Sequence, residues 1–169
     1  MKIVIVGAGR VGAVLAETYD AAGHQVIVLD ESASAFDRLP DEFRGTAVRG
    51  DGTDEDSLRR AGAADADIFL ALTQGDNRNV MACQMATEKF GITNVIAKIN
   101  DPVRAAAYAD LGLAVLCRTT MQAEAVTAYL GLGSLGVPGV IAPTGTHHDG
   151  AQHDPLPEAV DAGAAGQGA

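Results

Sequence analysis

Lys2-Ile3-Val4-Ile5-Val6-Gly7-Ala8-Gly9-Arg10-Val11-Gly12 is the stretch whose reading decides the fold. Its first five residues form a short apolar strand. Beyond Gly12, Val14, Leu15, Thr18 and Tyr19 recur at helical spacing. The glycines therefore sit where a strand turns into a helix, the context that a GxGxxG dinucleotide fingerprint requires. Gly7 permits the tight turn. Gly9 lets a pyrophosphate approach the backbone without meeting a Cβ, and Gly12 lets the helix pack closely. The helix N-terminus then offers free N–H groups and a partial positive charge to phosphate. Asp30 ends the next apolar run, 18 positions past Gly12. A carboxylate there can accept hydrogen bonds from both hydroxyls of an adenosine ribose, and it rejects mainly a 2′-phosphate.

Working outward, strands and helices alternate six times. Strands are expected at Lys2–Val6, Gln25–Asp30, Thr46–Arg49, Ile68–Leu72, Val95–Ile99 and Ala114–Cys117. The helices between them start or stop at recognisable signals. Gly23, Gly62 and Gly91 follow helix ends. Ser32 caps a short helix stopped by Pro40, Thr53 and Asp56 resemble a capping box, and Asp76 reads as an N-cap. Asp101-Pro102 places a cap and a proline at a helix start. Val80, Met81, Cys83 and Met85 form the expected buried face of the fourth helical segment. A last helix begins near Thr119 or Thr120 and fades after Leu130. The alternation predicts an α/β fold, a Rossmann-like doubly wound parallel sheet of six strands in the order 3-2-1-4-5-6. In such a sheet a ligand binds at the carboxyl ends of the strands, at the switch between strands one and four.

Composition changes after Leu130. Residues 131–169 hold nine Gly and four Pro but no Lys or Arg. We therefore expect one nucleotide-binding domain over 1–130 and a disordered or loosely attached tail over 131–169. The whole chain has 169 residues, is 47% hydrophobic and contains no Trp, so an aliphatic core is expected. A net charge of −10 argues against non-specific nucleic-acid binding and against docking on anionic lipid. Cys83 and Cys117 read as buried small hydrophobes in a reducing compartment. Met1 runs directly into the first strand, and no apolar run approaches the ~20 residues of a membrane span, so a cytosolic location is expected.

Further candidates fall at the same strand ends. Gly50-Asp51-Gly52-Thr53 follows strand three, where Asp51 can face an adenine or ribose and Gly52 can line the base; turn and cap chemistry is the alternative for Asp51 and Thr53. Thr73 follows strand four and flanks the second half of the site. Lys98, at the end of strand five, either answers a phosphate or is a solvated or ion-paired lysine. Arg10, inside the glycine loop, is placed to reach a terminal phosphate of its own or a neighbouring subunit's ligand. His147, His148 and His153 lie near Asp149 and Asp154, but their spacing matches no closed metal site. No nucleophile motif is present.

Five segments, KIVIVGAGRVG, VIVLD, VRGDGTDEDSLRRAGAADADIFLALTQGDNRNVMACQMA, IAKINDP and LGLAVLCRTTMQAE, together resemble the N-terminal lobe of RCK (KTN) proteins. These are the TrkA- and KtrA-like regulatory subunits of bacterial potassium transporters and channels. The resemblance covers roughly residues 1–130. It implies a lobe that binds NAD(H) or ATP/ADP and dimerises, with rings forming under a membrane pore, alone or with a second RCK subunit. It implies a cytoplasmic protein held at the inner face of the membrane through the transporter's membrane subunit. It also implies binding roles for Gly7, Gly9, Arg10, Val11 and Gly12 in the phosphate loop, Asp30 at the ribose, and Asp51 and Gly52 at the base. Thr73 would flank the ligand, and Lys98 stands where many members carry an arginine. Members commonly continue into a second ligand-binding lobe, whereas this sequence enters its glycine-rich tail, so second-lobe functions are not carried over.

The expected function is a nucleotide-binding regulatory subunit that gates potassium transport, and not an enzyme. The alternative is the cofactor lobe of an NAD-dependent oxidoreductase. That alternative needs a substrate domain and a general acid or base near the nicotinamide. After strand six only Thr119, Thr120, Glu124 and the tail remain, which is too little to enclose a substrate.

Overall fold

The computed structural model describes residues 1–136 and 139–141. Strands β1 (Lys2–Val6), β2 (Gln25–Asp30), β3 (Thr46–Arg49), β4 (Ile68–Ala71), β5 (Asn94–Lys98), β6 (Ala114–Leu116) and β7 (Val140–Ile141) form one sheet in the order β3-β2-β1-β4-β5-β6-β7. All pairs are parallel except β6 with β7, which is antiparallel. Between them run α1 (Arg10–Ala21), α2 (Glu55–Arg60), α3 (Asp76–Phe90), α4 (Pro102–Asp110) and α5 (Arg118–Tyr129). The first six strands stand in the order expected from their alternation with helices. The seventh is new. It gives the outer edge of β6 a partner, a pairing that begins where Cys117 N–H donates to Gly139 O. A two-residue strand has no periodicity to read. Residues 142–169, including His147, His148, His153 and most of the expected tail, lie outside the described residues.

The central strands are apolar on both faces because helices cover both. Side chains alternate along β1, so Val4 and Val6 enter one core while Ile3 and Ile5 enter the other. The Val4 core also takes Leu29, Leu58 of α2, Phe69, Val80 and Cys83 of α3, and Ala105 of α4. The Ile3 core takes Val26, Val28, Leu70 and Ala16 of α1. Full burial of each such large aliphatic or aromatic side chain contributes about 1.5–3 kcal/mol. Cys83 and Cys117 are both free and buried. Met81 is exposed rather than buried, because α3 turns its Val80 and Cys83 side inward.

Helix starts differ from expectation in three places. Residues Ala33–Arg38 form a 3-10 helix, and Ser32 makes no side-chain cap; its hydroxyl pairs with that of Ser34. The cap of α2 is Asp54, which accepts from the backbone and hydroxyl of Ser57. Thr53 lies one residue before that position, and its N–H and hydroxyl both donate to Asp51. Gly75, not Asp76, occupies the N-cap position of α3. Asp101 and Pro102 start α4 as expected, with Asp101 accepting from Val103 and Arg104 N–H.

Candidate functional site

The carboxyl ends of β1 to β6 open onto one cleft of about 620 Å3. Its centre is the β1–α1 turn. Gly7 has φ +106°, a left-handed value that a side chain resists. A Cβ on Gly12 would stand 2.0 Å from Gly7 O, so only glycine lets α1 start this close to the loop. A Cβ on Gly9 would meet nothing within 4 Å, so this position borders open space. Gly9 is also the N-cap of α1 and supplies no side-chain cap. The first-turn N–H groups of α1, without intrahelical acceptors, therefore face the cleft.

Asp30 is tied into this turn from 22 positions away. Its Oδ2 accepts from Ala8 N–H at 2.8 Å and its Oδ1 from Ser32 N–H at 2.9 Å. A carboxylate has about four acceptor positions, so two remain for a ligand's hydroxyls. Gly7, Gly9, Arg10, Val11, Asp30, Asp51, Gly52, Thr73 and Lys98 all line the cleft. Gly12 does not; its part is to seat the helix beneath the loop.

The other strand ends are held by Asn79, which sequence reading did not single out, and by Asp76, which it read as a helix cap. Asn79 of α3 is fully buried. Its Oδ1 accepts from the N–H and hydroxyl of Thr73, and its Nδ2 donates to Thr73 O and Lys98 O. Thr73 is thus a fixed wall of the cleft, its hydroxyl also accepting from Gly75 N–H. Asp76 accepts from Asn100 N–H, Asn100 Nδ2 and Asp101 N–H. Burial pushes its carboxyl pKa up, but these hydrogen bonds and the Arg104 charge outweigh it, and the net shift is downward.

Charge is distributed unevenly. Asp30, Glu31 and Asp51 line the β2–β3 side, where Arg78 of α3 reaches across to pair with Glu31 through both terminal guanidinium nitrogens and with Asp51 at 3.5 Å. The Thr53 N–H, with lesser help from its hydroxyl and Arg78, holds the Asp51 carboxyl below its ordinary value against a smaller effect of burial. On the β5–β6 side stand Lys98 and Arg118. Burial, then the neighbouring Arg118 charge, pushes the Lys98 ammonium down, with Asp76 opposing. Glu31, Arg78 and Arg118 were missed by sequence reading. Glu31 and Arg78 are 47 positions apart, and only the strand order brings them together.

A doubly wound sheet with a glycine turn at its switch point and an acid at the end of β2 defines the Rossmann class of nucleotide-binding domains. Within that class, residues 3–118 match the TrkA-N domain, and the chain belongs to this family. It is 44% identical over 124 residues to a Trk system potassium uptake protein TrkA of Streptomyces coelicolor, a match covering 73% of this chain and 56% of that protein. The chain therefore spans little more than half of that relative's length. Among solved structures, it resembles the Shewanella denitrificans Kef CTD in its AMP-bound form (TM-score 0.64, 24% identity, 80% of this chain and 84% of that one). It also resembles the TrkA-N domain of the inner membrane protein ybaL from Escherichia coli (TM-score 0.65, 23% identity, 78% and 95%). These likenesses bear out the Rossmann-like fold. No helix of the described residues is long and apolar enough to cross a membrane.

Proposed function

We propose that this chain is the nucleotide-sensing part of a regulatory subunit that gates a potassium transporter or channel, working in the cytoplasm against the transporter's membrane subunit. The observation that carries this reading is the β1–α1 turn: an open Gly9, an uncapped helix N-terminus and Asp30 fixed beside them at one cleft. That arrangement fits an adenine nucleotide, NAD(H) or ATP/ADP. Asp30 would take the ribose hydroxyls, and Asp51 and Gly52 would border the base. The N–H groups of Gly9, Arg10 and Val11 would take phosphate, with the Arg10 side chain at its far end, and Thr73 and Lys98 would wall the distal side. Family membership, the potassium-uptake relative and an AMP-bound structure of the same fold support it.

Sensing requires that the nucleotide bind one conformation more tightly than another. Driving a 1:99 population to 99:1 takes about 5.5 kcal/mol of such discrimination. We place the nucleotide domain at residues 1–130, with 131–169 as an appended tail. Self-association into a dimer or ring, alone or with a second RCK subunit, would carry the change to the pore. A regulatory role is favoured over an oxidoreductase lobe by the relative's potassium-uptake assignment. Calorimetric titration of the chain with NADH, NAD+, ATP and ADP tests the reading. At least one should bind saturably, and Asp30→Ala should abolish it without loss of fold. Absence of binding by all four to the folded wild type would reject it.

A further inference from the structure

Arg78 starts on one half of the sheet and ends on the other. It belongs to the first turn of α3, which follows β4, and its guanidinium is bonded to Glu31 and Asp51 at the ends of β2 and β3. β1 lies between β2 and β4, so this side chain crosses above the carboxyl end of β1. Its stem is seated at the near end, where a Cβ on Gly75 would touch Arg78 Cγ and Cδ at 3.5 Å. At the far end three of its five N–H donors meet carboxylates, one from Nη1 and two from Nη2, the last at 3.5 Å. These bonds lie along the edge of the guanidinium and leave its flat faces uncovered. The cation–π contact among the described residues is that of Arg59 with Phe90. Beneath the crossing the floor is apolar. Val6 and Leu29 are buried and line the cleft, and a Cβ on Gly52 would stand 2.2 Å from Val6 Cγ1. An aliphatic floor under a guanidinium face suits a flat ring, with apolar contact on one side and cation–π contact on the other.

We propose that Arg78 is a stacking residue that roofs the base of the bound nucleotide and makes the site prefer purines over pyrimidines. The inference rests on the nucleotide reading above, which borders the base with Asp51 and Gly52, and adds the residue that covers it. Glu31 and Asp51 act as props. By engaging the edge of the guanidinium they balance its charge, withhold its donors from phosphate and present its face to the slot. Stacking on a guanidinium plane needs no hydrogen-bond pattern, only a ring of sufficient area. A bicyclic purine covers more of that plane than a single pyrimidine ring. Two nucleotides that share ribose and phosphates are therefore told apart by the base alone.

Calorimetry of the wild-type chain, Arg78→Lys and Glu31→Gln with ADP and UDP tests this. Lysine keeps the positive charge and can still pair with Glu31, but it has no planar face. The wild type should bind ADP more tightly than UDP. Arg78→Lys should weaken ADP by about threefold to tenfold and change UDP by less than about twofold, so that the preference collapses. Glu31→Gln, which removes a prop and leaves the arginine, should move the ratio the same way by a smaller factor. An unchanged ADP affinity in Arg78→Lys overturns the proposal. So does an equal loss of ADP and UDP, which would make Arg78 a charge contact, and so does tighter ADP binding, which would make it an obstruction. A folded wild type that binds no ADP also overturns it; if NADH, NAD+ and ATP fail as well, the nucleotide reading itself falls, a distinct result.

Discussion

The two ends of the cleft are built on opposite electrostatic plans. At the β2–β3 end, each acid is already held: Asp30 by Ala8 and Ser32 N–H, Asp51 by Thr53, and Glu31 by Arg78. At the β5–β6 end, Lys98 and Arg118 line the cleft and, among the described residues, neither has a carboxylate within ion-pair distance; Asp76 acts on Lys98 only from farther off. The first end is organised before any ligand arrives, through short loops and hydrogen bonds that set the carboxylates' positions. The second carries two cations and no direct ion pair among the described residues. A ligand that is neutral and hydroxyl-rich at one end and anionic at the other would satisfy both.

The comparison breaks most readily at the turn between the two ends. Gly12→Val would drive a side chain into Gly7 O and should destabilise the fold by about 3 kcal/mol or more. Gly9→Val projects into open cleft and should leave the melting temperature within a few degrees while abolishing nucleotide binding. Thermal denaturation and titration of the pair separate the two glycines. Equal stability losses would mean that Gly9 is also packed.

Next in size is Asn79, the strut behind the cationic end. Asn79→Ala strands the N–H of Thr73 and the carbonyls of Thr73 and Lys98 in a buried site, and should cost about 2–3 kcal/mol in urea unfolding. A loss below ~0.5 kcal/mol would show that the β4–α3 loop stands without it.

The Asp76 tether is smaller and depends on pH. Its folded pKa is depressed, so its stabilisation is present above the unfolded value of about 3.9 and is lost as pH falls through the folded value. Asp76→Asn should flatten the fall in melting temperature below pH ~4 and lower stability at neutral pH. An unchanged acid limb would remove Asp76 from the account. Smallest is the exposed Arg78 bridge, where Arg78→Ala should cost no more than about 1 kcal/mol, shrinking further in high salt.

Legibility followed the same division. The glycine turn, Asp30, and the order of the six parallel strands could be read because each depends on neighbours in the chain: apolar runs, turn glycines and an acid at a strand end. What escaped depended on tertiary placement. Arg78 meets Glu31 only because β2 and α3 flank one crevice. Asp54 replaces Thr53 as the cap because α2 starts at Glu55, one residue later than the Thr53 and Asp56 pattern suggested, while Thr53 bonds back to Asp51. Asp76 sits one residue inside α3 and bonds the loop after β5 instead of its own helix. Lys98 could be placed at its strand end, but its near-complete burial could not.

The central claim is that adenine nucleotides bind at the β1–α1 turn, with phosphate on the α1 N-terminus and ribose on Asp30. Backbone amide chemical shifts, followed by NMR as ATP is added to the 17.3 kDa chain, test this most directly. The account predicts that the largest shifts fall on Gly9, Arg10 and Val11, with Ala8 and Ser32 moving as Asp30 engages the ribose. Saturable shifts confined to any other surface, with Gly7 to Gly12 unmoved, would contradict it.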